Sequence, residues 1–145
     1  FVRACALGAP EHSRGQRVLN ILASNLGYIA PTGVPVREEV AVSVVDSGTN
    51  LITMQKMDGT LVLAIEGSRG KAVASAIFGQ PSGELEPRAD RPVFRALQIQ
   101  MAGRLIMGQG AVPIMRDGEV IGACGVGGGT AQEDEDCAKA GVASI

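Results

Sequence analysis

The spacing of apolar positions changes several times along the chain, and each change marks a predicted element. Val18, Ile21 and Leu22, with Leu19 and Leu26 beside them, repeat at helical spacing and predict a helix over residues 11–28, closed by Gly27 and Pro31. Two prolines and a glycine make residues 31–39 a loop. Residues 40–45 are β-branched and small apolar side chains, the pattern of a buried strand. The turn-forming run Asp46-Ser47-Gly48-Thr49 then separates them from a return strand over 51–56.

After Met57-Asp58-Gly59-Thr60, the apolar period lengthens. Ile65, Ala72, Val73, Ala76 and Ile77 fit one face of a helix over 61–78, and its many alanines allow it to lie close to a sheet. Gly67 and Gly70 sit inside that helix, where each costs about 1 kcal/mol against alanine. Such glycines call for close packing or for a bound molecule that touches the backbone. Residues 79–92 read as irregular, followed by a short helix over 93–101 and strands over 104–107, 111–115 and 119–124. Asp117-Gly118 predicts a two-residue type I′ hairpin. Thr130 and Glu133 have the capping-box spacing, which starts a last helix. Consecutive strands joined by tight turns predict antiparallel pairing, hence an α+β fold, with residues 1–145 as one domain.

Composition narrows the function classes. The chain has 145 residues, 46% hydrophobic and 19% charged, with a net charge of −2. That balance excludes a polybasic nucleic-acid binder. With one Tyr, three Phe and no Trp, base-stacking platforms are not expected either. No run approaches the length of a membrane span, so no membrane partner is expected. The three cysteines, Cys5, Cys124 and Cys137, lack C-x-x-C spacing and read as reduced thiols of a cytoplasmic protein.

Several residues are candidates for chemistry. Asp58 and Glu66 could form a carboxylate pair for acid–base work, with Lys71 or Arg69 holding a substrate carboxylate; turn formation and helix capping by Asp58 and ion pairing of Glu66 on the helix explain the same residues structurally. The only histidine, His12, reads as a solvated residue near a helix start. Its alternative role is an axial ligand to haem iron or cobalt, completed by a symmetry-related His12. The run from Gly125 to Gly129 precedes a helix but carries no P-loop lysine, and Glu133 to Asp136 would repel an anion there. A tight bend that lets a flat ligand approach the backbone is the better reading.

Taken together, these segments resemble a known family. Val44-Val45-Asp46-Ser47-Gly48 and Met57-Asp58-Gly59-Thr60 are similar to its V-V-D-x-x-G and R-M-D-G-A motifs. Further agreement comes at Ile65, Lys71-Ala72, Phe78-Gly79-Gln80-Pro81 and Gly110-Ala111-Val112-Pro113-Ile114. Asp117-Gly118-Glu119-Val120-Ile121-Gly122 and Gly125-Val126-Gly127-Gly128 complete the set. Across residues 40–142 the chain resembles the GlcG/HbpS family, which includes haem-degrading-type proteins and the C-terminal domain of some corrinoid adenosyltransferases.

The resemblance implies a profilin-like three-layer sandwich with a five-stranded antiparallel sheet, assembled as a homo-oligomer. It also implies a crevice that binds a small molecule such as haem or a related tetrapyrrole. On this chain the implied ligand-binding residues are Met57, Gly59, Arg69, Gly127 and Gly128, with Asp58 and Lys71 beside them. Lys56 stands where the family usually has Arg, and Ser68-Arg69-Gly70 precede Lys71 where an acidic residue or Asn is common. Three functions follow as expectations. The first is an oligomeric tetrapyrrole-binding protein. The second is a lyase, isomerase or hydrolase acting on a small carboxylated or hydroxylated substrate, with Asp58, Glu66 and Lys71 as its catalytic set. The third is a non-catalytic regulatory or structural subunit.

Overall fold

The computed structural model describes residues 40–143. The predicted helix over 11–28, the loop over 31–39, Cys5 and His12 lie outside the described residues. In chain order the elements are strands β1 (Ala41–Asp46) and β2 (Leu51–Lys56), helix α1 (Val62–Phe78) and a 3-10 turn (Ser82–Arg88). Helix α2 (Pro92–Gln100), strands β3 (Ala111–Arg116) and β4 (Glu119–Gly127), and helix α3 (Ala131–Val142) follow. The strands form one antiparallel sheet in the order β2-β1-β4-β3.

Strand alternation sorts the core into two layers. Val42, Val44, Val112, Ile114, Cys124 and Val126 project to one face, where Ala138, Cys137 and Val142 of α3 cover them. Val45 and Ala123 project to the other face and pack with Ala72, Val73 and Ala76 of α1, together with Leu85, Leu105 and Met107. The described residues therefore form helix, sheet and helix layers.

The small residues of α1 have a visible cause. A Cβ at Gly125 would collide with the Ser68 carbonyl oxygen, and one at Gly127 would lie 2.8 Å from the Ala64 carbonyl oxygen. Helix backbone and strand backbone approach too closely for larger side chains. Within that contact Ser43 and Ser68 are fully buried, and their hydroxyls bond at 2.8 Å.

Local chemistry at two other points gives the predicted structures. Asp117 and Gly118 have φ values of 52° and 83°, the left-handed pair that a type I′ turn between β3 and β4 requires. The Thr130 hydroxyl accepts from the Glu133 amide while the Glu133 carboxylate accepts from the Thr130 amide, closing the capping box.

One expectation is corrected. The sheet has four strands among the described residues, not five, because residues 104–107 do not join it. Leu105 and Met107 are buried, so the alternating pattern is real, but the segment packs on α1. The Ile106 amide donates to the Gly70 carbonyl at 3.1 Å, and a Cβ at Gly70 would stand 2.5 Å from the Ile106 Cγ1. Strand-like alternation here reflects an extended chain buried against a helix. No helix among the described residues is long and apolar enough to cross a membrane.

Candidate functional site

The turn between β2 and α1 is built by backbone and hydroxyl bonds. The Met57 amide donates to the Val40 carbonyl, and the Thr60 hydroxyl lies 2.8 Å from the Met57 carbonyl and 3.2 Å from that of Val40. Gly59 has a φ of 87°, and Asp58 beside it is exposed. The N-cap of α1 is Leu61, with no side-chain cap bond, so Asp58 does not cap the helix. Leu61, Val62 and Leu63 follow with 71%, 78% and 79% exposure, an apolar cluster left in solvent at the helix start.

Lys71 lies on the inner side of α1. Its Nζ is 2.7 Å from Oδ2 of Asp134 at the start of α3, and both residues are buried. The other oxygen of Asp134 accepts from the Gly129 amide at 3.1 Å. Burial pushes the Asp134 carboxyl above its ordinary value, opposed by the Lys71 ammonium and the Gly129 N–H. A Cβ at Gly110 would strike the Lys71 ammonium, so the bare backbone there makes room for the pair. This ion pair holds α1 to α3 past the beginning of β3.

Arg69 is placed differently. It is half-buried, it takes part in none of the ion pairs among the described residues, and its Nε is buried with no hydrogen-bond acceptor there. A buried guanidinium nitrogen without a partner is costly, and the guanidinium fork matches carboxylates and phosphates. Glu66 is exposed on the same helix. Five residues of helix turn Glu66 about 140° away from Lys71, so the fold does not bring these two members of the expected catalytic set onto one face.

The expected glycine residues divide. Gly127 is buried under Ala64, while Gly128 is exposed, with a φ of 125°. The acidic run at α3 is largely engaged within the protein. Glu133 bonds Thr130, Asp134 bonds Lys71, Glu135 pairs with Lys139 at 2.6 Å, and Asp136 accepts from Gln132. Among the described residues no group of three His, Cys, Asp or Glu side chains is placed to hold a metal ion.

Sequence reasoning missed Asp134 as the partner of Lys71. The available signal was a lysine on an alanine-rich helix face, since a buried ammonium requires a carboxylate. The strand over 51–56 is where the sequence predicts it, but its side chains Leu51, Ile52 and Met54, 40%, 49% and 37% exposed, were not among the candidate site residues.

The comparisons with known proteins agree with this architecture. A family model described as haem degrading protein HbpS-like matches residues 29–143. A 15.0 kDa protein from the dhaT-dhaS intergenic region of Citrobacter freundii is 35% identical over 99 residues, covering 66% of this chain and 68% of that protein. The corrinoid adenosyltransferase PduO of Salmonella typhimurium is 27% identical over 154 residues. That match takes in 100% of this chain and 44% of PduO, so the chain spans less than half of that enzyme. Among solved structures, Klebsiella pneumoniae protein ORFY has a TM-score of 0.75 and 27% identity, over 88% of this chain and 86% of its own. The PduOC:haem complex has a TM-score of 0.74 and 25% identity, over 88% and 91%.

Proposed function

Because the chain belongs to the HbpS-like family, we propose that it binds haem or a closely related tetrapyrrole as a small-molecule-binding protein. The observation that carries this reading is Arg69. Its guanidinium has a buried Nε with no acceptor among the described residues, whereas the rival cation, Lys71, is engaged by Asp134. A haem propionate is a carboxylate of the kind a guanidinium binds through paired hydrogen bonds. The haem complex of PduOC, a structural relative at 25% identity, supports the same choice of ligand.

The residues present fit such a group in two respects. Arg69 offers the anion contact, and the exposed apolar side chains of β2 offer surface for a macrocycle. Bound haem would supply an iron centre. The chain's own part is to hold the ring and pair its carboxylates. His12, the sole imidazole of the chain, is the residue that would hold the iron. The exposed cluster Leu61, Val62 and Leu63 supports assembly into a homo-oligomer, read by light scattering.

The test is an absorption titration of the purified protein with hemin, run beside His12→Ala. A saturable Soret shift at one hemin per chain supports the reading, and its loss in the variant assigns His12 the iron. A shift that persists in the variant keeps haem and removes His12. No shift in the wild-type protein overturns the proposal.

A further inference from the structure

The sheet is wider than the helix that covers it. Ser68 fixes α1 over β1 through its bond to Ser43, and Lys71 reaches Gly110 and Asp134 beside β3. With strands in the order β2-β1-β4-β3, the opposite flank of α1 looks toward β2. Helical periodicity puts Ile65 and Arg69 on that flank, about 60° and 100° round the helix from Ser68.

The pairing register identifies what lies below them. Lys56 is opposite Ala41, Met54 opposite Ser43 and, past a register shift between Val44 and Val45, Leu51 opposite Val45, and cross-strand partners share a face of the sheet. Ala41, Ser43 and Val45 are buried, yet Leu51 and Met54 are 40% and 37% exposed and Lys56 is exposed. Among the described residues strand β2 is thus an apolar ledge that no element covers beside α1, with a cation on the helix flank and another on the strand itself.

We propose that this ledge seats a flat apolar ligand bearing carboxylates, with its ring on Leu51 and Met54 and its carboxylates on Arg69 and Lys56. The inference rests on the haem-binding reading and locates that ligand's site. Charge complementarity selects the occupant. Among the described residues Arg69 Nε is buried without an acceptor, and the Lys56 ammonium bonds the Met57 carbonyl, at 3.0 Å, and no carboxylate. A second chain pairing along the edge of β2 would offer amides to the strand and leave both cations unmatched.

The experiment is a hemin titration of the full chain as wild type, Arg69→Met, Arg69→Lys, Met54→Glu and, as a control on α2, Ile99→Asp. Far-ultraviolet circular dichroism checks that each variant is folded, and Met54→Glu, on an exposed edge, keeps the test valid should Arg69→Met not fold. The proposal expects Arg69→Met and Met54→Glu to raise the hemin Kd about tenfold or more, Arg69→Lys to recover part of the loss, and Ile99→Asp to match wild type. Wild-type binding with unchanged Kd in Arg69→Met and Met54→Glu overturns the ledge while leaving haem binding intact. Absence of binding by the wild type removes both. Conversion of an oligomer to a monomer by Met54→Glu, with hemin affinity unchanged, makes β2 an interface between copies and also overturns the ledge.

Discussion

The ammonium of Lys71 meets the carboxylate of Asp134, 63 residues further along the chain, at 2.7 Å and so joins α1 to α3. Both charges are buried, so the pair is needed more for what its loss would expose than for its net strength. Removing either partner leaves the other charge buried and unmatched. Lys71→Ala and Asp134→Ala are each expected to cost about 3–5 kcal/mol, and Lys71→Met with Asp134→Leu to recover most of that loss. Urea unfolding of the three variants measures it. Additive losses in the double variant would show that the two side chains contribute independently and would contradict the coupling described.

Two glycines of α1 have opposite surroundings, and their substitution is expected to act with opposite sign. A Cβ at Gly67 meets nothing within 4 Å, so Gly67→Ala gains helix propensity and stabilises by about 0.5–1 kcal/mol. A Cβ at Gly70 would stand 2.5 Å from Ile106 Cγ1 and 3.0 Å from its Cβ, so Gly70→Ala destabilises by about 1–3 kcal/mol. Thermal unfolding midpoints of the two variants decide it; equal shifts would contradict the packing described.

These glycines also show how far the sequence could be read. The spacing of Ile65, Ala72, Val73 and Ala76 was enough for the helix, and Asp117-Gly118 and Thr130–Glu133 for a hairpin and a cap, because those signals are local. The cost of Gly67 and Gly70 was legible, but not its cause, since Ile106 is distant in sequence. Residues 104–107 carried strand-like alternation because an extended segment on a helix buries every second residue as a sheet strand does. At the site, Arg69 and Lys71 looked equivalent. Only the fold distinguishes the cation taken by Asp134 from the one left without an acceptor among the described residues.

The capping box makes helix α3 sensitive to acid. Hydrogen bonds from the Thr130 hydroxyl and amide hold the Glu133 carboxyl below its ordinary value of 4.5. A carboxylate with a lowered folded pKa contributes stability above its unfolded value and loses it as pH falls through the folded one. The unfolding midpoint is therefore expected to drop between about pH 5 and about pH 3, with a shallower drop in Glu133→Gln. Identical slopes in the two proteins would exclude the cap as the cause.

Burial governs the thiols. Burial pushes Cys137 up to about 11, with the Asp134 charge adding to the effect, and it pushes the buried Cys124 upward as well. Neither forms an appreciable thiolate near neutrality. Iodoacetamide at about pH 8 is expected to leave both unmodified in the folded protein and to label both in urea, as mapped by peptide mass spectrometry. Rapid native labelling of Cys137 would contradict the packing of α3 on the sheet.

Tetrapyrrole binding is tested most directly by gel filtration of the protein after equilibration with hemin and separation from the free ligand. Haem absorbance is expected to co-elute with the protein at one equivalent per chain and to survive a second passage. Protein that elutes free of haem, with the ligand recovered in the small-molecule volume, would contradict the account.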